Sequence, residues 1–180
     1  MITLASLWRY PIKSHGREAL ESVTLEAGKT MPWDRHWAVT HEKTKFDPSN
    51  PVWVMCRNFM IGNLTPRLAG IWATLNEDAG KITLRHVDLG EITFDPNEPD
   101  DFLAWVAPLS SEQTASPMAL IKGDVAMTDT PFQSVSIMNA ASHQAVADRL
   151  GHDLEQERWR ANVWLDGLDA WAERDMHGHT

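Results

Sequence analysis

The chain of 180 residues has one cysteine and one tyrosine, and it lacks any long apolar run. Its single cysteine, Cys56, cannot form a disulfide within the chain, which favours a reducing, cytoplasmic setting. No stretch approaches the roughly 18 apolar residues that a membrane-spanning helix needs. The first residues carry no basic segment followed by an apolar one, so we expect no signal peptide.

Basic residues are also scarce, since 16 Lys and Arg stand against 25 Asp and Glu and the net charge is −9. Proteins that coat nucleic acid or anionic membranes need a net basic surface. The balance therefore argues against nucleic-acid and membrane partners, although it allows a local basic pocket. Tryptophan is plentiful at nine residues, most of which we expect in the core. One or two could instead wall a site for a flat ligand.

Familiar catalytic motifs are missing from the sequence. It contains no Gly-x-Gly-x-x-Gly, no Walker-type loop, no Cys-x-x-Cys and no Gly-x-Ser-x-Gly. His177 and His179 have the spacing of neighbours on one face of a strand, but two ligands do not make a metal site. We therefore predict no metal-binding residues.

The hydrophobic pattern predicts an α+β fold dominated by strands. Short alternating runs separated by turns are typical of strands, and many of them at close spacing favour barrel-like sheets. A short helix within 96–108 begins with acidic residues, and a longer helix over 140–150 is capped by Asn139 and ended by Gly151. Its buried stripe is expected from three residues: Ala145, Val146 and Leu150. The predicted strands are 2–10, 22–26, 36–40, 52–59, 71–75, 81–86, 91–94, 118–122, 133–138 and 160–166.

The pattern further predicts two mixed or antiparallel, barrel-like subdomains, residues 1–108 and 118–180. Residues 109–117 are small, polar and end in proline, which is typical of a linker.

Basic residues stand at the ends of predicted strands. Lys13 and Ser14 follow Pro11, which ends the first strand, while Arg35 and Arg160 stand where later strands begin. Together they could converge on an anion, because lysine supplies a point charge and arginine a planar fork suited to phosphate. For each basic residue taken alone, the alternative is a solvated side chain on the surface.

A fourth segment, Thr128-Asp129-Thr130-Pro131-Phe132, leads into another predicted strand. Threonine hydroxyls can donate to phosphate oxygens, and aspartate can accept from a donor edge of a ligand. The alternative is a turn in which these side chains only organise the loop.

In combination these segments resemble a known family. Tyr10-Pro11-Ile12-Lys13-Ser14 and Asp34-Arg35-His36-Trp37 resemble the amino-terminal β-barrel domain that precedes MOSC domains. The segment 128–132, with Arg158-Trp159-Arg160-Ala161-Asn162-Val163, Asp166-Gly167 and Trp171, is similar to the first part of a MOSC domain. The motifs keep the family's order over nearly the whole chain. The family includes the carboxy-terminal part of molybdenum-cofactor sulfurase and the amidoxime-reducing components.

The resemblance implies binding of the molybdenum cofactor, a pterin dithiolene that carries a phosphate. It also brings a family association with pyridoxal phosphate binding. On the matching positions, Asp129 is expected to organise its loop. Six residues would contact the phosphate, the pterin or its tail: Lys13, Ser14, Arg35, Thr130, Arg160 and Asn162.

Two functions follow from the resemblance. In the first, the chain is part of an oxidoreductase that acts on N-hydroxylated compounds, with a small-molecule substrate and an electron-transfer partner protein. Alternatively, it is part of a sulfur-transfer system. The second is a non-catalytic module for cofactor delivery or protein interaction that lacks the metal-ligating cysteine.

One departure from the family bears on activity. The family places a molybdenum-ligating cysteine downstream of the Arg-x-Asn strand, whereas this sequence reaches Thr180 without it, and without the closing strands. We therefore expect the second subdomain to be incomplete, with an unpaired sheet edge that favours self-association. Cys56 shares one face of a predicted strand with Val52 and Val54, so we expect a buried structural thiol. Residues 1–180 alone should then show little turnover.

Overall fold

The structure, a computed structural model, describes residues 1–110 and 115–178. In that part of the chain, nine strands form three sheets beside two α-helices, so the predicted dominance of strands is confirmed. The sheets are open rather than closed barrels. The strands are β1 (Thr3–Arg9), β2 (Glu18–Leu20), β3 (Trp37–His41), β4 (Trp72–Asn76), β5 (Lys81–His86), β6 (Gly90–Phe94), β7 (Pro117–Lys122), β8 (Ile137–Asn139) and β9 (Val163–Asp166). The α-helices are α1 (Asp100–Val106) and α2 (Ala140–Leu150), and short 3-10 turns cover Cys56–Asn58, Pro66–Gly70, Ala107–Leu109, Gln156–Trp159 and Ala172–Met176.

The main core forms around an antiparallel meander of β4, β5 and β6. Side chains of β5 alternate between the two faces of the sheet. Ile82 and Leu84 are fully buried on one face, whereas Arg85 points to the other face and is exposed. Helix α1 covers this face, and its Phe102 ring stacks on Phe94 with centroids 4.7 Å apart. This core supports the loop that carries the first basic motif.

The other two sheets join distant parts of the chain. β1 pairs antiparallel with β9, β8 pairs parallel with β9, and β3 pairs antiparallel with β7. The end of β1 therefore lies beside the segment that leads into β9. The boundary between residues 1–108 and 118–180 stays a prediction, and residues 111–114 of the predicted linker lie outside the described part.

Three strand predictions were wrong in position. Residues 22–26 form no strand, and β2 lies earlier; residues 133–138 contribute only their end to β8. Residues 52–59 form an extended loop and a 3-10 turn, and only an isolated Thr40–Phe59 bridge joins this segment to the edge of β3 that is not paired with β7. The adjacent residues Trp53 and Val54 both pack against a small buried cluster, while Val52 is 48% exposed, so the segment does not have the two alternating faces of a strand.

Helix α2 has the predicted ends and a different buried face. The Asn139 side chain accepts from the Ala141 N–H at 3.0 Å, and Gly151 ends the helix at φ 77°, in the left-handed region. Leu150 is 55% exposed, which contradicts the predicted apolar stripe. The buried positions include Ser142, whose hydroxyl donates to Glu173, and His143, because this face packs against polar partners.

Among residues 1–110 and 115–178, no helix combines the length and the apolar character that crossing a membrane requires.

Candidate functional site

A cavity of about 710 Å³ lies where the end of β1 meets the segment before β9. Its volume is in the range of small-molecule sites. Its wall is net positive although the chain is net negative, since five basic residues face three acidic ones. The basic residues are Lys13, Arg17, Arg35, Arg158 and Arg160, and the acidic ones are Asp129, Glu155 and Glu157.

The exit from β1 places Lys13 and Ser14 on this wall. The Lys13 backbone N–H donates to the Trp37 carbonyl at 2.8 Å, which ties the exit to β3. Gly16 then adopts φ 89°, and a Cβ there would lie 2.8 Å from the Ala73 Cβ, so glycine is required. This turn brings Arg17 back to the same wall.

The ring of Tyr10 is in contact with both motif arginines, Arg35 and Arg160. The guanidinium carbons of Arg35 and Arg160 lie 4.7 and 4.2 Å from the centroid of its ring. Its hydroxyl donates to the Ala161 carbonyl at 3.2 Å, and Arg35 Nη2 donates to the Arg160 carbonyl at 2.7 Å. Burial raises the pKa of Tyr10 to about 12, so the phenol stays neutral between the cations.

The cations differ in their partners. Arg35 pairs with buried Asp34, whereas Arg160 forms no ion pair with any described residue, and among those residues its guanidinium donates only to the Gly16 carbonyl, at 3.3 Å. Burial first, and then the charge of Arg35, lowers the pKa of Arg160 to about 10, so it remains a cation at neutral pH. Arg17 likewise has no ion pair among the described residues, and its buried Nε has no hydrogen-bond partner there.

Asp129 is a fixed counterion for Lys13. Its carboxylate accepts from Lys13 Nζ at 2.6 Å, with side-chain exposures of 84% for Asp129 and 5% for Lys13. Trp53 Nε1 donates to the Thr128 carbonyl at 3.0 Å, which holds the loop that carries Asp129. Burial would raise the pKa of Asp129, but the hydrogen bond and charge of Lys13, with the charges of Arg35 and Arg160, lower it overall. An incoming anion must therefore compete with this carboxylate for Lys13.

Backbone strain is concentrated at the cavity. Among the described residues, five that are not glycine have a positive φ, and three of these line the wall: Ser14 at 63°, Arg35 at 48° and Arg160 at 51°. A left-handed residue with a side chain costs about 1–3 kcal/mol, and such residues persist where the surroundings hold them in place. Strain of this kind gathers at binding and catalytic sites.

Four of the six predicted contact residues meet on this wall: Lys13, Ser14, Arg35 and Arg160. Thr130 and Asn162 are not among the lining residues. Asn162 is buried, where its amide donates to the Trp8 carbonyl at 3.2 Å and accepts from the Ser136 hydroxyl at 2.9 Å. It thereby ties β1 to the segment before β8. The binding roles of these two residues stay predictions.

The lining residues that sequence reasoning missed include Arg17, Cys56 and Trp159. Gly16 was the available signal for Arg17, because a glycine directly after a strand exit indicates a sharp turn. No local pattern pointed to Cys56, since its place on the wall depends on how the loop from residue 52 folds back. Cys56 begins a 3-10 turn and is half-buried, so the expectation of a buried strand thiol was wrong.

The position of Cys56 predicts protection of its thiol by a ligand. Alkylation of the intact protein by iodoacetamide should slow at least about threefold when an anionic ligand fills the cavity, because the ligand covers the same wall. Mass spectrometry measures the rate cleanly, since the chain has one cysteine. An unchanged rate at saturating ligand would place the ligand elsewhere.

Residues 1–117 match the family model of the MOSC N-terminal beta barrel domain. The chain belongs to this MOSC family. The matched region contains Lys13, Ser14, Arg35 and Cys56, while Arg160 lies beyond it. A search of curated proteins finds no match to this MOSC chain.

No group of three or more potential metal-ligating side chains occurs among residues 1–110 and 115–178. His177 is described but His179 is not, so the histidine pair noted in the sequence lies partly outside the described residues.

Proposed function

We propose that this MOSC-family chain binds the molybdenum cofactor, with the phosphate of the pterin held in the cationic cavity. The observation that carries the proposal is the pair of guanidinium groups, Arg17 and Arg160, that line the cavity without an ion pair among the described residues. Both residues are partly buried, and charges removed from water are normally paired. Two such cations match a phosphate monoester, which carries nearly two negative charges at neutral pH.

The donor set fits the group. Arg160 and Arg17 would hold phosphate oxygens through charge-assisted hydrogen bonds, and the Ser14 hydroxyl adds a donor on the same wall. Lys13 joins them once Asp129 is displaced. When bound, the cofactor supplies redox and oxygen- or sulfur-transfer chemistry, while the protein supplies binding, orientation and charge.

The test is the pterin content of protein produced in a cofactor-synthesising host, measured by the fluorescence of the oxidised pterin and by metal analysis. Arg160→Gln should lower the retained pterin at least about tenfold, because a lost charge-assisted hydrogen bond costs about 1.5–3 kcal/mol. Asp129→Asn should act in the opposite direction and raise the affinity, because it removes the internal competitor for Lys13.

Arg149→Gln is the matched control, because Arg149 is exposed at the end of α2, away from the cavity. Equal pterin content in wild type, Arg160→Gln and Arg149→Gln would refute the cavity as the binding site, and a complete absence of pterin from the wild type would refute the proposal itself.

The oxidoreductase hypothesis is a second candidate that one observation favours over a delivery module: Cys56 lies on the wall of the same cavity. A thiolate is a soft ligand appropriate to such a metal centre. If the chain is part of an enzyme, Cys56→Ser should lower the bound molybdenum and leave the pterin content unchanged. If Cys56→Ser keeps both the molybdenum and the pterin, and the wild type does not reduce an N-hydroxylated substrate, the result supports the delivery module.

A further inference from the structure

Trp159 is the one aromatic side chain among the described residues that line the cavity. It ends the 3-10 turn Gln156–Trp159, directly before Arg160, and is 45% exposed. A large aromatic residue exposed to this extent and placed between two lining arginines is poorly explained by core packing. Trp159 therefore stands on the cavity wall beside the cation that we assign to the phosphate.

A hydrogen-bond chain holds the indole in position. Trp159 Nε1 donates to His143 Nδ1 at 2.9 Å, and His143 Nε2 lies 3.1 Å from the Leu154 carbonyl. Since the indole can only donate, Nδ1 is the acceptor, so Nε2 carries the hydrogen and donates to the carbonyl. His143 is itself buried on α2, so the edge of the indole is fixed before any ligand arrives. Pre-organisation of this kind lowers the entropic cost of binding.

The other tryptophans do not line the cavity, and several have partners elsewhere. Trp33 and Trp37 stack on each other with centroids 5.8 Å apart, and Trp72 lies under the Arg17 guanidinium. Trp171, which is 43% exposed, lies near Arg174 and not at the cavity. Trp159 is thus distinguished by its position on the cavity wall.

We propose that Trp159 is a stacking platform that makes the cavity prefer phosphate esters of flat aromatic rings over aliphatic phosphate esters. The inference rests on the proposed function, since the phosphate must be held by Arg160 and its neighbours. Stacking of a planar ring on an aromatic side chain is sequence-tolerant in nucleic-acid binding proteins because every base offers a π face. The same physics here predicts selection by ring shape rather than by substituent.

The test is calorimetric titration of the full chain with two probes, 1-naphthyl phosphate and glycerol 3-phosphate. The wild type should bind the aromatic ester about tenfold more tightly, in line with the stacking energies found by alanine substitution. Trp159→Ala should remove this preference and leave glycerol 3-phosphate binding unchanged, whereas Trp159→Phe should keep part of it. Trp171→Ala, a change at an equally exposed tryptophan outside the cavity, should keep all of it.

Two results would overturn the inference: no preference in the wild type, or a preference that survives Trp159→Ala. Equal weakening of both esters by Trp159→Ala would also overturn it, because that pattern indicates a structural role. If neither ester binds, or if Arg160→Gln leaves the binding of both esters unchanged, the proposed function itself is wrong. Thermal unfolding of each variant confirms that the fold is retained.

Discussion

Replacing Asp34 by alanine is expected to lower the free energy of unfolding by about 3–5 kcal/mol, the usual cost of breaking a buried ion pair from one side. The Asp34 carboxylate has a side-chain exposure of 1% and holds two partners, the Arg35 guanidinium and the Tyr10 backbone N–H, the latter at 2.9 Å. Alanine leaves the Tyr10 N–H without its acceptor in the interior and removes the counterion of Arg35. Equilibrium unfolding in urea measures the loss.

Asp88→Ala is the matched control for this prediction. Asp88 also pairs with an arginine, Arg67, at 2.9 Å, but both side chains are about half exposed. Exposed pairs contribute about 0–1 kcal/mol, so the same chemical change should have little effect there. Similar losses in the two variants would show that the burial of Asp34 does not control its contribution.

Acid should destabilise the fold between about pH 6.5 and pH 4, with His15 as a main cause. His15 is fully buried, its Nδ1 lies 2.7 Å from the Lys13 carbonyl, and its Nε2 has no partner among the described residues. Burial lowers the pKa of His15 from 6.5 to about 4. In this range the unfolded chain binds a proton that the folded chain does not, so stability falls as the pH falls.

The size of the His15 effect follows from the two pKa values. By pH 4 the unfolding free energy should have dropped by about 3 kcal/mol through His15, because one unit of pKa difference corresponds to about 1.4 kcal/mol. His15→Gln should flatten the stability profile across this range, while His152→Gln, at an exposed histidine, should leave its shape unchanged. His36, whose pKa burial also lowers to about 4, adds to the slope that remains. A wild-type stability that is constant from pH 6.5 to 4 would contradict the prediction.

Local elements were the most predictable part of the fold. β4, β5 and β6 follow from alternation between glycine-containing turns, because a two-residue period and a nearby reversal are both local properties. The ends of α2 follow from Asn139 and Gly151, which satisfy the helix termini with their own atoms. Predictions failed where local signals were shared by different structures, as at residues 52–59, whose alternation fits a packed loop as well as a strand.

The site was predictable in its chemistry and only partly in its geometry. Strand-end position and residue type indicated Lys13, Ser14, Arg35 and Arg160, all of which line the cavity. Asn162 stands at an equally suggestive strand start, yet its amide hydrogen bonds are made within the fold. A motif reports which side chain leaves a strand end, but not whether a neighbouring backbone group takes its hydrogen bonds.

By itself the sequence determined a strand-rich chain of the MOSC family, its capped helix and the cationic motifs, because these depend on periodicity, capping chemistry and residue type. Only the tertiary structure decided which charges are paired within the protein. The pairing of β1 with β9 places Tyr10 against Arg160 as well as Arg35. The loop that Trp53 holds by a hydrogen bond places Asp129 in contact with Lys13. The contacts of Tyr10 with Arg160 and of Lys13 with Asp129 join residues more than 100 positions apart, and their energies depend on distance and burial, which no local pattern carries.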